Sequence, residues 1–278
     1  MKVLLTGRGG RLGAAAAPAL ERAGHEVTGF DVDDGDIRDP AAVRAAVEGC
    51  DAVVHLAGIA EDRGGAAEDV LVVNLLGTWN VLVAAQGCGV ERVVYSSSGK
   101  ALGMLERDPD YLPVDDAHSG LPARPYGLSK WLAEEMCEGF TRDTGIATLC
   151  LRPVLVLDAD GYERLAGLDE VPRPQSAASW HLGAFVDVDD VAEAIVASLA
   201  CPDPGHARLL LCASDVGSNR PSAELAAEFF PGVPWRDGRP FEDGSREALV
   251  DCRVARELLG WRPRQGWLDR PGARVTAA

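Results

Sequence analysis

The 278-residue chain is short of aromatic side chains, of histidine and of basic charge. Phe, Trp and Tyr make up only 6% of it, so most of the 47% hydrophobic fraction is aliphatic. The five histidines are scattered without metal-ligand spacing, and the seven cysteines (Cys50, Cys88, Cys137, Cys150, Cys201, Cys212 and Cys252) contain no Cys-x-x-Cys pair. No metal site is therefore expected. An odd number of cysteines in apolar surroundings, such as Cys150 between Leu149 and Leu151, fits reduced core thiols in a cytoplasmic protein. Lys and Arg total 27 against 43 Asp and Glu, for a net charge of −16. That balance argues against nucleic acid and anionic membrane surfaces, which need basic patches, although a few local arginines suffice for a small anion. No apolar run approaching the ~18 residues of a membrane-spanning helix is expected, and Met1-Lys2 leads straight into an apolar strand rather than a leader.

What is present is an alternation of aliphatic runs with helical stretches, in a chain long enough for one large core. The runs predict strands at 2–6, 26–31, 52–57, 92–97, 146–151 and 208–212, and helices at 11–23, 40–48, 66–86, 126–144 and 188–200. Continuous rather than alternating apolar strands are those covered on both faces, so the pattern predicts an α/β fold with a doubly wound parallel sheet, a Rossmann architecture. Composition shifts after Pro153 toward Asp, Gly, Pro, Arg and Ser. The expected division is a dinucleotide-binding domain of residues 1–153 plus 185–212, and a small substrate cap of 154–184 plus 213–278 carrying short helices at Ser222–Phe230 and Arg253–Leu259.

Residues Thr6-Gly7-Arg8-Gly9-Gly10-Arg11-Leu12-Gly13 follow the first strand directly. Gly7 can take the sharp turn, Gly10 leaves room for a phosphate to reach the backbone, and Gly13 lets helix and strand pack closely. The helix opened by Arg11 and Leu12 aims its free N–H groups and dipole at such an anion. A glycine trio alone is a weak signal, and an ordinary tight turn would read the same way. Asp31, about 20 residues on, completes the fingerprint. Its carboxylate accepts hydrogen bonds from ribose hydroxyls and repels a 2′-phosphate, which favours NAD over NADP. Arg8, inside the turn, points the other way, since it could pair with a phosphate.

Ligands in such sheets bind beyond the carboxyl ends of the strands, and three segments lie there: His55-Leu56-Ala57-Gly58, Ser96-Ser97-Ser98-Gly99, and Tyr126-Gly127-Leu128-Ser129-Lys130. Tyr126 and Lys130 are four apart and share a helix face. A Lys cation near a phenol favours the phenolate, which can then exchange a proton with a substrate hydroxyl while a hydride moves to or from a nicotinamide. Ser98 could bond and orient the same oxygen. Each piece has a plainer reading: a Tyr–Lys pair packed on a helix, a serine cap, and a hydrogen-bonded core histidine at His55.

In combination the chain resembles the extended short-chain dehydrogenase/reductases, the NAD-dependent epimerase/dehydratase family. The resemblance rests on Thr6-Gly7-x-x-Gly10-x-x-Gly13, Asp31, Asp36-Ile37, His55-Leu56-Ala57-Gly58, Asn74, Ser96-Ser97-Ser98, Tyr126-x-x-x-Lys130, Leu151-Arg152-Pro153, Phe185-Val186-Asp187-Val188-Asp189-Asp190 and Leu259-Gly260-Trp261-Arg262-Pro263. It implies a catalytic set of Ser98, Tyr126 and Lys130, with Tyr126 as acid/base. It implies NAD contacts from Gly7, Arg8, Gly10, Arg11, Leu12, Asp31, Asp36, Ile37, Leu56, Ala57, Gly58, Asn74, Ser96, Tyr126, Lys130 and Pro153. Asp36 and Ile37 would flank the adenine, and Asn74 would support the central helix. Family members often dimerise through the two helices that here would be 66–86 and 126–144.

The departures from the family bear on substrate. Nucleotide-sugar enzymes of the family usually carry Val-Tyr-Gly where Ala101-Leu102-Gly103 stands, Asn where Leu155 stands, and a diphosphate-binding Arg where Gly183-Ala184 precede Phe185. Losing that Arg removes a charge-assisted contact. Dehydratases carry acid/base carboxylates where Gly99 and Lys100 stand. The short stretch from Pro153 to Phe185 resembles compact members that act on free sugars or sugar acids. Ser98, Gly99, Arg164, Arg173, Trp180 and Arg239 are candidate substrate contacts, with His181 beside Trp180. The expected function is NAD-dependent hydride transfer at a secondary alcohol or ketone of a sugar-like substrate. The alternatives are a nucleotide-sugar 4-epimerase with tightly bound NAD, and a non-catalytic NAD-binding regulator.

Overall fold

The structure, a computed structural model, describes residues 1–60, 66–103, 107–165, 168, 183–202, 204–236, 238 and 240–269. Six parallel strands make the main sheet: β1 (Lys2–Thr6), β2 (Glu26–Phe30), β3 (Ala52–His55), β4 (Arg92–Ser96), β5 (Ala147–Pro153) and β8 (His206–Leu211), in the spatial order β2-β1-β3-β4-β5-β8. The strand order reverses between β1 and β3, so the crevice for a ligand opens where the chain leaves those two strands.

The aliphatic runs divide by alternation. Val3 and Leu5 enter one buried cluster with Ala16 and Leu20 of α1 (Arg11–Arg22) and Val191 and Ile195 of α7 (Val188–Ala200). Leu4, Val53 and Val93 enter another with Val43 of α2 (Pro40–Val47), Val81 and Leu82 of α4 (Gly77–Cys88), and Ala133 and Cys137 of α5 (Pro125–Thr144). Period-2 side-chain direction thus gives each sheet face its own core. Every strand and helix predicted up to residue 212 is present, with ends shifted by a residue or two. Ending β2 at Phe30 leaves Asp31 just outside the strand.

The helix between β3 and β4 corrects one expectation. The segment Ala67–Cys88, made of α3 (Ala67–Leu71), a π-helical turn at Val72–Leu76 and α4, is long and apolar enough to cross a membrane by length and composition. Residues 70–88 carry no charged side chain. Here half of that segment is buried in the fold, and Asn74, Thr78 and Asn80 turn polar groups into the protein.

Beyond the main sheet, β6 (Leu155–Leu157) pairs in parallel with β7 (Phe185–Asp187), and α6 (Ala159–Arg164) follows β6. Leu157, Tyr162, Phe185 and Trp267 bury one another there. The C-terminal part, with α8 (Ser222–Phe229) and α9 (Arg253–Leu259), joins the main core: Ala226, Phe230, Leu249, Val250, Ala255 and Trp261 belong to the same cluster as Val3 and Leu5. The loop before α5 also ties into it, through bridges Leu112 to Trp235 and Val114 to Val250. This loop has no apolar periodicity that would have marked its role in advance.

Candidate active site

The glycine turn is dictated by close backbone approach. Gly7 has a φ of 72°, and a Cβ there would sit 2.7 Å from the amide nitrogen of Ala57 at the exit of β3. A Cβ on Gly13 would lie 2.3 Å from the carbonyl oxygen of Gly7. At Gly10 the nearest atom would be 3.3 Å away, so little of the protein fills that space. Gly10 is also the N-cap of α1 and offers no side chain to cap it. The free N–H groups of the first turn are therefore a ready place for an anion. A bare, uncapped helix start beside a glycine cradle fits a dinucleotide pyrophosphate.

Asp31 stands beside this turn. Its Oδ2 accepts from the Gly9 amide at 2.7 Å and its Oδ1 from the Val32 amide at 2.8 Å. Arg8 lies against β2: a Cβ on Gly29 would meet its Cδ at 2.5 Å. Asp31 and Arg8 thus sit side by side, and both of the opposing cofactor cues seen in the sequence are present in space. Asp36, expected at the adenine, is an exposed carboxylate gripped by Arg38, with Nε to Oδ1 at 2.9 Å. The Arg38 hydrogen bonds hold its carboxyl down at about 2. The Ile37 side chain is buried with Phe30 and Val43, and its carbonyl accepts from Asn80 Nδ2 at 3.1 Å. Arg11 pairs through Nε with Oδ2 of Asp158 at 3.0 Å. Asp158 is in turn the N-cap of α6, so this contact links the glycine turn to the segment after β6.

A polar chain runs behind the turn. Thr78 donates to the Asn74 carbonyl at 2.6 Å, so its oxygen accepts from His55 Nε2 at 3.1 Å. His55 Nδ1 then accepts from Thr6 Oγ1 at 2.8 Å. Burial, with the charge of Lys130 adding to it, lowers the imidazole to about 3 and keeps it neutral. The plainer reading of His55 therefore holds. Asn74, on the π-helical turn, accepts from the Ile59 amide at 2.8 Å and donates to Ser129 Oγ at 3.0 Å. Ser129 Oγ donates to the Tyr126 carbonyl at 2.8 Å. One amide side chain thus joins the segment after Gly58 to the first turn of α5.

Tyr126 lies half-buried in that first turn. Lys130 is buried one turn on, with Nζ donating to the Ser96 carbonyl at 2.7 Å and lying 4.8 Å from the centre of the Tyr95 ring and 5.8 Å from that of Tyr126. Burial lowers its ammonium to about 8, against the opposing pull of Glu134. Ser98 is the N-cap of a 3₁₀ turn at Gly99–Leu102, and its Oγ accepts from the Lys100 amide at 3.2 Å. That leaves the Ser98 hydroxyl hydrogen as the group it can donate. The turn packs hard on α5: a Cβ on Gly127 would be 2.7 Å from the Lys100 carbonyl oxygen. Gly127 is therefore what brings the Ser98 and Tyr126 segments together.

Sequence reasoning missed the layer beneath. Glu134 is fully buried, accepts from Ser97 Oγ, and is held by Arg152 through Nε at 2.8 Å and Nη2 at 2.6 Å. A bidentate Arg–carboxylate pair of this kind is geometrically demanding and fixes both elements. Its signal was legible: Glu134 is four residues beyond Lys130 on the same face of α5. Asp116 was also missed. Its Oδ1 accepts from the Leu210 amide at 2.6 Å, and burial raises its carboxyl to about 7. Of the substrate candidates, Ser98 and Gly99 lie at this site and Arg164 is exposed at the end of α6. Arg173, Trp180, His181 and Arg239 lie outside the described residues. Leu56, Ala57, Gly58, Ser96 and Pro153 all stand at the carboxyl ends of β3, β4 and β5. Among the described residues no group of His, Cys, Asp or Glu could hold a metal.

Comparison with known proteins fits this geometry. Residues 3–162 match the NAD dependent epimerase/dehydratase family, and the chain belongs to it. A uronate dehydrogenase from Pseudomonas syringae pv. tomato is 29% identical over 221 residues, spanning 74% of this chain and 72% of that protein. A 2-alkyl-3-oxoalkanoate reductase from Stenotrophomonas maltophilia is 33% identical over 170 residues, 56% of this chain and 51% of that one. In fold, a short-chain dehydrogenase/reductase superfamily protein from Agrobacterium tumefaciens, solved with bound NAD, superposes with a TM-score of 0.74 at 22% identity over 97% of this chain and 94% of the other. The family model and the dehydrogenase relatives make the protein an NAD-dependent enzyme of the epimerase/dehydratase family.

Proposed function

We propose that the chain is an NAD-dependent dehydrogenase that oxidises an alcohol carbon of a sugar acid, acting on the free sugar rather than on a nucleotide sugar. The observation that carries this reading is the placement of buried Lys130 between the Ser96 carbonyl and the Tyr126 ring at the mouth of the dinucleotide crevice. Gly7, Gly10, Gly13, Asp31 and the uncapped start of α1 would hold the cofactor, with Ala57, Gly58 and Pro153 lining it. Bound NAD supplies the hydride acceptor. Tyr126 Oη, as phenolate, takes the substrate hydroxyl proton; Lys130 stabilises that phenolate, and Ser98 donates a hydrogen bond to the same substrate oxygen. In the reverse direction the proton returns from Tyr126 to the carbonyl oxygen.

The free-sugar reading draws support from Gly183. Its φ is 59°, and a Cβ there would lie 3.0 Å from the backbone of Gly217. Ala184 beside it is buried. Gly183 has no room for a side chain, and neither position supplies an arginine that would grip a diphosphate. The division into a dinucleotide-binding part and a substrate cap of 154–184 plus 213–278 is part of the proposal. Burial of Cys137, Cys150, Cys212 and Cys252 as thiols supports a reducing, cytoplasmic setting. A homodimer through α4 and α5 is part of the proposal, supported by the exposed stripe Val72, Leu76, Trp79 and Val83 on the long helix.

The test is turnover. Purified protein with NAD and a panel of free and nucleotide-linked sugars should reduce NAD only with free sugar acids. Tyr126→Phe should cut kcat by about 10³-fold or more while NAD binding persists. Product formed from a nucleotide sugar without net NAD reduction would replace this reading by the epimerase. Cofactor binding with no turnover of any sugar would favour a regulator.

A further inference from the structure

Two neighbouring residues at the exit of β4 are gripped by two successive turns of α5. The Ser96 carbonyl receives Lys130 Nζ, and Ser97 Oγ donates to Glu134 Oε1. Lys130 and Glu134 are one turn apart and share a helix face. Ser98, the proposed donor to the substrate oxygen, follows directly on both contacts. Glu134 is held in turn from β5 by the bidentate Arg152, whose Nη1 also donates to the Asp116 carbonyl at 3.2 Å. The carboxylate thus ties together β4, β5, α5 and the loop before α5, directly beneath the reacting groups.

Stability alone does not account for this cluster. Glu134 and Arg152 are both buried. Taking two such charges out of water costs about what their attraction returns, so a well-packed apolar pair would hold β5 to α5 as firmly. Ser97 needs no charge either, since a neutral acceptor would satisfy its hydroxyl. What neither substitute supplies is an anion one turn from a buried lysine. Around Lys130 stand Tyr126 and Cys137 of α5, Tyr95 of β4, Cys150 of β5 and His55 of β3. Burial keeps the His55 imidazole, the Tyr95 phenol and the Cys150 thiol uncharged. Around Glu134 stand Arg152, with Asp116 beyond it, and Arg208 of β8, whose Nε is 3.6 Å from Glu134 Oε2. Burial works against the Lys130 ammonium, and Glu134 is the strongest of the groups that pull it back. We propose that Glu134 is a positioning residue of the reaction: through Ser97 it fixes Ser98 against Tyr126, and by its charge it partners Lys130 across one helix turn. The inference rests on the dehydrogenase reading above for what the site does, and on the Ser97–Glu134–Arg152 contacts for how it is held.

Lysine occurs only at positions 2, 100 and 130, so protein labelled with [¹³Cε]lysine carries three side-chain signals, and Lys130→Met assigns one of them. With NAD present, the Lys130 signal should titrate near 8 in the wild type. Its midpoint should fall by about one pH unit in Glu134→Gln and stay within about 0.3 unit in Ser97→Ala. Ser97→Ala leaves the ion pair whole. It should lower kcat about tenfold with KM within about threefold, because a displaced Ser98 donor is missed most in the transition state. In Glu134→Gln the alkaline limb of the kcat profile should move down together with the Lys130 signal. A Lys130 midpoint unmoved in folded Glu134→Gln, or a Ser97→Ala kcat within about threefold of wild type, would overturn the inference. Glu134→Gln strands the Arg152 charge; if that variant does not fold, the Ser97→Ala kcat alone decides the matter. A wild type that turns over no sugar overturns the dehydrogenase reading instead, while the lysine titration still decides whether Glu134 acts on Lys130.

Discussion

Replacing Lys130 by Met removes a buried ammonium while keeping most of its volume. The fold holds that ammonium at about 8, against an ordinary lysine value near 10.5. At about 1.4 kcal/mol per unit, this costs the folded state about 3 kcal/mol wherever the unfolded lysine is charged. The folded value is depressed, so the cost is full below about pH 8. It fades as pH rises through 8 toward 10.5, because the folded chain releases the proton before the unfolded chain does. Lys130→Met escapes the cost but leaves the Ser96 carbonyl without its donor, a loss of about 1–2 kcal/mol. The variant should therefore be more stable than the wild type by about 1–2 kcal/mol near pH 7. The wild type should recover about 2 kcal/mol relative to it by about pH 9.5. Urea unfolding followed by tryptophan fluorescence, at matched ionic strength, reads both numbers. Turnover should vanish in the same variant, making Lys130 a site where stability is given up for activity. A stability gap that does not change between the two pH values would refute the electrostatic account. Retained turnover would refute the role of Lys130.

Asp31→Ala should raise kcat/KM with NADP relative to NAD by about 10- to 100-fold, since a like charge leaves the ribose site while Arg8 remains. Adding Arg8→Ala should cancel the gain, and a wild type that already prefers NADP would refute the assignment. Asp116→Asn should stabilise the protein by up to a few kcal/mol above pH 7 and by little near pH 4. The reason is that burial raises the Asp116 carboxyl to about 7, so the folded chain is strained only when it is ionised; equal stabilisation at both pH values in thermal melts would contradict this. Trp79→Glu, on the exposed stripe of α4, should convert a dimer to monomer in sedimentation, and a wild type that is already monomeric would remove the proposed interface.

Strands and helices were legible because both faces of the sheet are covered, which forces aliphatic runs such as Val3-Leu4-Leu5 and Val93-Val94 that no exposed segment would carry. The site was legible where chemistry demands a residue type at a fixed offset: glycines at 7, 10 and 13, and Tyr126 with Lys130 one turn on. What stayed hidden depends on partners distant in the chain. Glu134 looks like any surface acid of a helix until Arg152 and Ser97 close on it from neighbouring strands. Asp116 lies in a loop with no periodicity, and its partner Leu210 is 94 residues away. The helix at 67–88 was expected as a core helix, but its length of uncharged apolar run was not: a core helix between two sheet strands and a membrane span share that signature. Only Asn74, Thr78 and Asn80 hinted otherwise, since each needs a buried polar partner that lipid does not supply. Those same residues build the support of the site: Asn74 joins Ile59 to Ser129, and Thr78 fixes the tautomer of His55. A polar residue inside an apolar helix is thus informative twice. It argues for a soluble core, and it marks where that core meets the chemistry.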